Sequence, residues 1–339
     1  MKWRNGSLHT EALKWGILGT ASIAKRAIIP GIAASESGEV VAIASRSLGK
    51  AQAFAAEHDI KTAYGSYEEL LADEEIEAVY IPLPNHLHKE WVIKAAEAGK
   101  HVLCEKPIAL HAEEAQEMKE ACEQHRVVLA EAFMYRYQTR YKDILAHIDN
   151  GDIGEIRGIR AVFTFNNASA FDNFRMKRAY GGGGLYDVGV YPLSLARLVF
   201  GEEPEAVTVH SFMPDSHDQV DMVAAGLVEF SNGRYLTFDC GMWAAFRDEA
   251  EIIGTEGRIT IPTAFTNEAN GYDLYTNDGH THFSGNPVDH YALQADAFAA
   301  TVRNEKPLPF SAEDAVLNMK VLDACLKSQL ERKRIEVER

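Results

Sequence analysis

Short apolar runs alternate with helical patterns in the first part of the chain, and this alternation constrains the fold more than any other feature. It extends from Lys14 to about Gln138. Strand–helix repetition of this kind predicts a mostly parallel sheet with helices on both faces. The predicted strands are 15–18, 40–44, 78–81, 101–104 and 127–130.

The pattern changes after roughly Gly151, where strand-like segments follow one another with few helices between them. Turns such as Ser231-Asn232-Gly233 predict antiparallel hairpins. One helix is expected at about 184–199, and two more, at 290–303 and 312–329, close the chain. We therefore predict an α/β domain over 13–137 and an α+β domain over 138–339, built on an open, mostly antiparallel sheet. The last helices are expected to pack back on the first domain.

Charge and composition narrow the possible partners. The formal net charge is -16, which disfavours nucleic acid as a partner because its phosphates would be repelled. No apolar run is long enough for a membrane span, and Met1–Thr10 lack the apolar stretch of a signal peptide. The four cysteines are widely spaced, which argues against structural zinc and a disulfide framework. We expect a soluble, cytoplasmic protein.

The first strand runs into a turn that resembles a dinucleotide-binding fingerprint. That fingerprint places small residues where the backbone turns, where it meets the pyrophosphate and where helix packs on strand. Here the pattern is Gly-x-Ala-x-x-Ala, and the helix that follows would point its free N–H groups at the pyrophosphate. The alternative is a turn whose small residues serve packing only. The predicted cofactor residues in it are Gly19, Thr20, Ala21, Ser22 and Ile23.

The end of the second strand predicts which dinucleotide is bound. An NAD site would place an acidic residue there for the ribose 2′-hydroxyl, and none is present. Ser45 and Arg46 stand in its place with Lys50 close by, and arginine can bind a phosphate bidentately. We therefore predict NADP(H) over NAD(H); the alternative is that Arg46 is a solvated surface cation.

A lysine follows another predicted strand at its carboxyl end, where α/β sheets bind ligands. This is Lys106, in the run Glu105-Lys106-Pro107, and Pro107 can hold the turn in a cis bond that aims the lysine. A lone lysine of this kind is more often a surface charge. The polar segment Pro82–His86, at a neighbouring strand end, favours a site instead.

The most unusual stretch is Tyr180–Tyr191, which opens with four glycines. Glycines permit close approach of backbone to a ligand. Asp187 and Tyr191 lie four residues apart, hence on one face of the helix that follows. A carboxylate and a phenol there suit hydroxyl recognition and proton transfer; the alternative is a helix cap and a core tyrosine.

These motifs together resemble the Gfo/Idh/MocA family of oxidoreductases, along the chain from Trp15 to about Gln329. The resemblance rests on Glu105-Lys106-Pro107, on Pro82–His88 and on the Asp187/Tyr191 pair. The chain is most similar to the branch that holds glucose–fructose oxidoreductase, NADP-dependent xylose 1-dehydrogenase and dimeric dihydrodiol dehydrogenase. Relatives of inositol dehydrogenase carry histidine where this chain has Tyr191. Ala21, in place of the second glycine of the fingerprint, is a small departure.

The resemblance implies a Rossmann domain, an open antiparallel sheet whose outer face often forms a homodimer interface, and hydride transfer to or from a sugar, polyol or dihydrodiol. We expect a dimer or tetramer. Tyr191 is the candidate proton carrier; its phenol, with a pKa near about 10, would need Lys106 to stabilise a phenolate. Lys106 can instead be the acid/base, with Tyr191 a binding group. Asp187 would orient Lys106 and the substrate hydroxyls.

Further cofactor contacts are predicted at five positions near these motifs. Asn85 and His88 are placed at the nicotinamide ribose, although His88 can equally be the polar first turn of a helix. Arg136 contacts cofactor or substrate, or forms a structural ion pair. Pro82 and Glu105 complete the predicted cofactor set. Among the histidines only His86 and His88 are spaced as a candidate ligand pair, and two residues apart at a helix entry they are a poor metal site, so no metal is expected.

Two other functions remain open at this point. One is a sugar–sugar oxidoreductase that keeps NADP bound through both half-reactions. The other is a dinucleotide-binding sensor without turnover, which Lys106, Asp187 and Tyr191 argue against. Substrate choice is expected to lie in the loops 166–178 and 265–279, and the aromatic residues Phe163, Phe165, Phe171 and Phe174 are read as core and interface rather than a ligand box.

Overall fold

A computed structural model describes residues 11–266, 271–285 and 288–338 of the chain. The expectation about Met1–Thr10 and the part of the predicted substrate loop at 267–270 lie outside the described residues.

The first sheet has six strands, all parallel, in the order β3-β2-β1-β4-β5-β6. This is the Rossmann order, in which ligands bind outside the carboxyl ends of the strands where the order reverses, here between β1 and β4. The predicted α/β class is confirmed. The strands are β1 (Leu13–Leu18), β2 (Gly38–Ala44), β3 (Thr62–Tyr64), β4 (Ala78–Ile81), β5 (His101–Cys104) and β6 (Leu129–Glu131).

Helices connect these strands and cover the sheet. The first begins with a wide turn at Ala24–Ile28 and continues as α1. Ser66 caps α3, since its hydroxyl accepts a hydrogen bond from the Glu69 N–H. The helices are α1 (Ile29–Ala34), α2 (Leu48–Glu57), α3 (Tyr67–Leu71), α4 (His88–Glu97), α5 (Ala112–His125) and α6 (Thr139–Asp149).

The second sheet has nine strands in the order β14-β13-β12-β11-β7-β10-β9-β8-β15. Its pairs are antiparallel except β7 with β10, so the predicted open, mostly antiparallel sheet is confirmed and is in fact mixed. The Ser231–Gly233 turn joins β9 to β10 as a hairpin. The strands are β7 (Ile156–Asn166), β8 (Ala206–Phe212), β9 (Val223–Glu229), β10 (Tyr235–Gly241), β11 (Trp243–Gly254), β12 (Gly257–Ile261), β13 (Tyr272–Thr276), β14 (Gly279–Phe283) and β15 (Ile335–Glu336).

Part of the region expected as a substrate loop at 265–279 is regular structure. Residues Tyr272–Thr276 form β13, which pairs with β12 and β14 near the sheet edge. Its residues Tyr272 and Leu274 are buried, but Asn277 and Asp278 directly after them carry the polarity of a turn. A five-residue strand next to such a turn has too few alternating positions to be recognised from its pattern.

Three helices complete the fold: α7 (Val190–Phe200), α8 (His290–Val302) and α9 (Ala312–Glu331). Helices α7 and α9 pack on the second sheet. Helix α8 packs on α1, where the rings of Trp15 and Phe298 lie 5.0 Å apart, and α9 also packs on α5. The closing helices therefore pack on the helices of the first sheet, and α9 also packs on the second sheet. This packing brings the carboxyl edge of the first sheet against the start of α7.

Candidate active site

The turn after β1 lies at the carboxyl edge of the first sheet. Gly19 is buried there with φ of 108°, and its N–H donates to the Ala44 carbonyl at 2.8 Å. A Cβ on Gly19 would approach Leu83 to 3.1 Å in a backbone conformation that only glycine adopts readily. Thr20, Ala21, Ser22 and Ile23 follow with partly or fully exposed side chains, at the N-terminus of the first helix. All five predicted residues therefore border the switch point of the sheet.

The neighbouring strand β2 ends at the same edge. Ser45 is buried and its N–H donates to the Tyr64 carbonyl at 3.2 Å, whereas Arg46 and Lys50 are exposed. Arg46 also acts electrostatically on the buried Tyr67, whose pKa is raised by burial and partly lowered by this charge. The residues that follow β2 therefore include two exposed cationic side chains and no carboxylate.

The segment after β4 joins the two halves of the chain. Asn85 is buried, and its amide Nδ2 donates to the Gly181 carbonyl at 2.8 Å. The ring of His86 stacks on the ring of Tyr180 with centroids 4.1 Å apart. Pro82 is buried just before them. The Asn85 side chain therefore holds the glycine turn (residues 181–184) against the first sheet.

His88 is enclosed by protein groups. It is fully buried, with ring nitrogens 2.9 Å from the Pro107 carbonyl oxygen and 2.7 Å from that of Leu83. Burial lowers the pKa of His88, and the contacts with the two carbonyls partly offset this effect. The enclosed side chain supports the two strand-end loops, which fits the alternative that His88 belongs to the first turn of α4; a contact with the nicotinamide ribose stays a prediction.

The Glu105-Lys106-Pro107 run follows β5, and its Lys106–Pro107 peptide bond is cis. The half-buried Glu105 carboxylate accepts a hydrogen bond from the Tyr80 hydroxyl at 2.5 Å and one from the Lys106 N–H at 3.3 Å. Burial raises the pKa of Glu105, and the Lys106 charge partly offsets this. Glu105 is thus anchored beside the lysine.

The Lys106 ammonium meets Asp187 from the other half of the chain. Its Nζ donates to the Asp187 carbonyl at 2.6 Å and lies 3.5 Å from Asp187 Oδ1. The same Oδ1 accepts a bond from Arg175 Nε at 2.8 Å. Burial alone would raise the pKa of Asp187, but the charges of Arg175 and Lys106 outweigh it and hold the pKa below its ordinary value. The carboxylate is therefore ionised between two cations.

Sequence reasoning did not single out Arg175. It lies within the loop 166–178 expected to govern substrate choice, and its side chain is one-third exposed. Its guanidinium also lies 4.7 Å from the Phe174 ring. The only sequence signal was the location of the loop, because the contact with Asp187 depends on how that loop folds over the glycine turn.

Tyr191 stands beside Lys106, whose Nζ lies 5.0 Å from the centroid of the phenol ring. The ring is buried among Phe133, Phe163 and Phe265, each with its centroid 5.3–5.4 Å away. Burial, reinforced by nearby Glu105, raises the pKa of Tyr191 well above its usual value. The phenol therefore keeps its proton at neutral pH in this structure.

Arg136 takes the structural alternative. Its side chain is 3% exposed and forms an ion pair with Asp314 of α9. Its Nε donates to Ser194 Oγ at 2.8 Å, and its guanidinium packs between the rings of Phe133 and Phe310. These bonds are all made within the protein, which favours the structural ion pair, and the contact with cofactor or substrate stays a prediction.

The four phenylalanines divide between several environments. Phe163 packs against Tyr191, and Phe165 lies against a small cluster that includes Met176. Phe171 is exposed and contacts the ring of His217.

Within the described ranges, no three His, Cys, Asp or Glu side chains are grouped so that they could hold a metal ion. No described helix is both long and apolar enough to cross a membrane.

Comparison with known proteins matches both halves of the chain to models of an oxidoreductase family. Residues 13–133 match a family model described as "Oxidoreductase family, NAD-binding Rossmann fold". Residues 141–260 match the model of the Gfo/Idh/MocA C-terminal domain.

Individual relatives align over nearly the whole chain. An uncharacterized oxidoreductase of Rhizobium meliloti is 40% identical over 94% of this chain and 97% of its own. An NADP(+)-dependent D-xylose 1-dehydrogenase of Haloferax volcanii is 36% identical over 93% of this chain and 97% of its own. The crystal structure of KijD10, a 3-ketoreductase from Actinomadura kijaniata, in complex with NADP and TDP-benzene, superposes with a TM-score of 0.88 at 30% identity, covering 94% of this chain and 98% of that one.

Proposed function

The chain belongs to the Gfo/Idh/MocA family of oxidoreductases, and from that premise we propose that it is an NADP-dependent enzyme acting on a hydroxyl or keto carbon of a sugar, polyol or dihydrodiol. The observation that carries the proposal is the junction of Lys106, Asp187 and Tyr191 at the carboxyl edge of the Rossmann sheet. A sensor that only bound the dinucleotide would need no such junction.

The residues at the sheet edge fit NADP(H). Gly19 leaves the turn open where a Cβ would crowd it, and the helix that follows offers N–H groups and a positive dipole end to a pyrophosphate. Exposed Arg46, with Lys50 nearby, suits a 2′-phosphate, and Ser45 offers a hydroxyl. The relatives that bind NADP support the same cofactor. When bound, the nicotinamide supplies or accepts the hydride.

Tyr191 is the proton donor in the reductive direction. A protonated phenol can give its proton to a substrate oxygen that becomes negatively charged, and burial keeps Tyr191 protonated at neutral pH. In the oxidative direction the same group, as a phenolate, accepts the proton of the substrate hydroxyl.

Lys106 stabilises the developing charge on the substrate oxygen. Its ammonium sits between the Asp187 carbonyl and the Tyr191 ring, so it can shift to a substrate oxygen beside the phenol. Asp187 holds the ammonium in place, and Arg175 presents a second cation to the same carboxylate. Water is excluded by the aromatic residues around Tyr191.

The test is a turnover assay with purified protein. A panel of aldoses, ketoses, polyols and dihydrodiols is offered with NADP⁺ or NADPH, and reduced nicotinamide is followed by its absorbance. We expect turnover of at least one carbonyl sugar with NADPH and a clear preference over NADH. Absence of any turnover across the panel, with NADPH binding intact, would favour a sensor. Cofactor that co-purifies through gel filtration and is reduced by one sugar and reoxidised by another would identify a sugar–sugar oxidoreductase.

The assembly and cellular location are further parts of this proposal. We propose a dimer or tetramer formed through the outer face of the second sheet, where Leu227 is exposed beside the charged side chains of β10 and β11. Sedimentation equilibrium tests it, with Leu227→Glu as the variant expected to dissociate the assembly. We also propose a domain boundary between residues 137 and 138 and a cytoplasmic location.

A further inference from the structure

A buried carboxylate outside the predicted site lies directly behind the glycine turn. Asp221 precedes β9 and is 2% exposed. Its Oδ2 accepts a hydrogen bond from the Leu185 N–H at 2.6 Å, and its backbone carbonyl accepts one from the Gly184 N–H at 2.6 Å. The Gln329 side chain of α9 also bonds to the carboxylate. One residue thus holds two successive N–H groups at the start of the helical segment that carries Asp187.

The glycines of this turn are matched to Asp221. A Cβ on Gly183, whose φ is 121°, would lie 2.2 Å from Asp221 Oδ1. Such a contact is impossible without moving the carboxylate, so the absence of a side chain there is what lets Asp221 approach the backbone. This close approach explains part of the glycine run that the sequence left as a general sign of ligand proximity.

Two backbone hydrogen bonds connect the glycine turn beside Asp221 to residues of the proposed site. The Asp187 N–H donates to the Gly183 carbonyl at 3.0 Å, and the Gly183 N–H donates to the Arg175 carbonyl at 3.0 Å. Asp187 and Arg175 form the ion pair of the site described above. A shift of the turn would therefore move both of them relative to Lys106.

From this geometry we propose that Asp221 is a positioning residue that holds the glycine turn and thereby fixes Asp187 against Lys106. The proposal rests on the proposed function, since it assigns Asp221 a part in the same reaction. Asp221 itself touches none of the groups at the junction and acts only through the backbone of the turn.

The burial of Asp221 determines the protonation state of its carboxyl group. Burial raises its pKa to about 7, against the opposing effect of the bonds from Leu185 and Gln329. The titratable groups that face it are Tyr186, Cys240 and Cys325, which burial keeps neutral. Since the ionised form is the stronger acceptor, protonation below neutral pH weakens its hold on the Leu185 N–H.

The experiment compares Asp221→Asn with Asp323→Asn. The control is matched because Asp323 also accepts a backbone N–H at a helix start, that of Ala112 at 2.7 Å, yet lies outside the proposed site. For the wild type and D323N we expect kcat to fall as the pH drops below about 7. For D221N we expect a low kcat, reduced about 10- to 100-fold at pH 8, that no longer changes across this range.

A second variant distinguishes positioning from general damage to the fold. Gln329→Met removes one bond to the ionised carboxylate, so the pKa of Asp221 rises and the acid limb of kcat moves to higher pH. A merely structural role would lower kcat at every pH without moving the limb. An unmoved limb in Q329M, or an acid limb retained in D221N with kcat within twofold of wild type, would overturn the proposal.

Amide hydrogen exchange provides a readout that needs no turnover. In D221N the amides of residues 183–189 should exchange at least tenfold faster than in wild type, whereas D323N should accelerate only the start of α5. If no sugar is turned over but this exchange pattern holds, the proposed function fails and the positioning of the turn stands. Unchanged exchange at 183–189 in D221N rejects the proposal.

Discussion

The ammonium of Lys106 lies 5.0 Å from the centroid of the Tyr191 ring, although one residue follows a strand of the first sheet and the other begins a helix that packs on the second. The Asp187 carbonyl holds the ammonium in this position at 2.6 Å. Neither half of the chain contains the pair by itself, so the arrangement exists only because the two halves are packed together.

Replacing Lys106 by alanine should remove most of the activity. Because its ammonium lies beside the phenol, we expect kcat for carbonyl reduction to fall about 10²–10⁴-fold. Steady-state kinetics with NADPH measures this. Lys89→Ala, which removes a surface lysine paired with Glu117, should leave kcat unchanged. A K106A enzyme within a few-fold of wild type would place the chemistry elsewhere.

Replacing Tyr191 by phenylalanine should separate chemistry from packing. The hydroxyl contacts the Met134 sulfur at 3.8 Å, a weak bond, so the free energy of unfolding should change by less than about 1 kcal/mol. We expect kcat to fall about 10²–10⁴-fold through loss of the proton donor. The control is Tyr64→Phe, which loses a 2.7 Å bond to Asp73 and should reduce stability but not kcat. The opposite pattern, with stability lost and kcat kept, would make Tyr191 a core residue.

Replacing Arg46 by alanine should change the choice of cofactor. Loss of a charge-assisted bond to a 2′-phosphate costs roughly 1.5–3 kcal/mol, so kcat/KM for NADPH should fall about 10- to 100-fold while that for NADH is unchanged. Arg157→Ala, another exposed cation, serves as the control. Equal losses with both cofactors would show that Arg46 does not distinguish them.

Replacing Arg136 by methionine should destabilise the fold without weakening cofactor binding. The change removes one of the two arginine partners of Asp314, the other being Arg197, which costs about 1–3 kcal/mol. Urea unfolding measures this loss, and NADPH fluorescence titration should give an unchanged Kd. A second change, Asp314→Leu, should recover part of the stability. A large rise in Kd with little loss of stability would favour the predicted cofactor contact.

His290 should make the stability depend on pH in the acid range. It is fully buried, and burial lowers its pKa to about 4. The unfolded chain has a histidine pKa near about 6.5, so the unfolded state binds the extra proton first. The contribution of neutral His290 to the free energy of unfolding is therefore complete above pH 6.5. It is lost as pH falls toward 4, at about 1.4 kcal/mol per pH unit. Unfolding free energies of wild type and His290→Gln should therefore converge across this interval; parallel curves would contradict the assignment.

The sequence predicted the sheet-edge residues well because their positions follow from topology. In parallel sheets every strand ends at the same edge, so Gly19, Ser45, Pro82 and Lys106 had to lie near one another once their strands were recognised. The family resemblance, confirmed by matches over nearly the whole chain, added the partner residues Asp187 and Tyr191 from the second half.

Polar residues close to those edges were harder to assign. His88 and Arg136 have the residue types of ligand-binding side chains, yet the structure encloses one between two carbonyls and pairs the other with Asp314. A side chain's type does not reveal whether its bonds are satisfied by protein or by ligand. That depends on segments distant in sequence, such as α9.

What the amino-acid sequence determined by itself was local: where strands end, which turn needs glycine, and which cations follow which strand. These properties depend on backbone sterics and on the period of apolar residues, and both are written in consecutive positions. The tertiary structure decided the rest, including the meeting of Arg175 with Asp187 and the enclosure of Asp221 behind Gly183. Such contacts join separate loops and layers, and burial there decides whether each charge is kept.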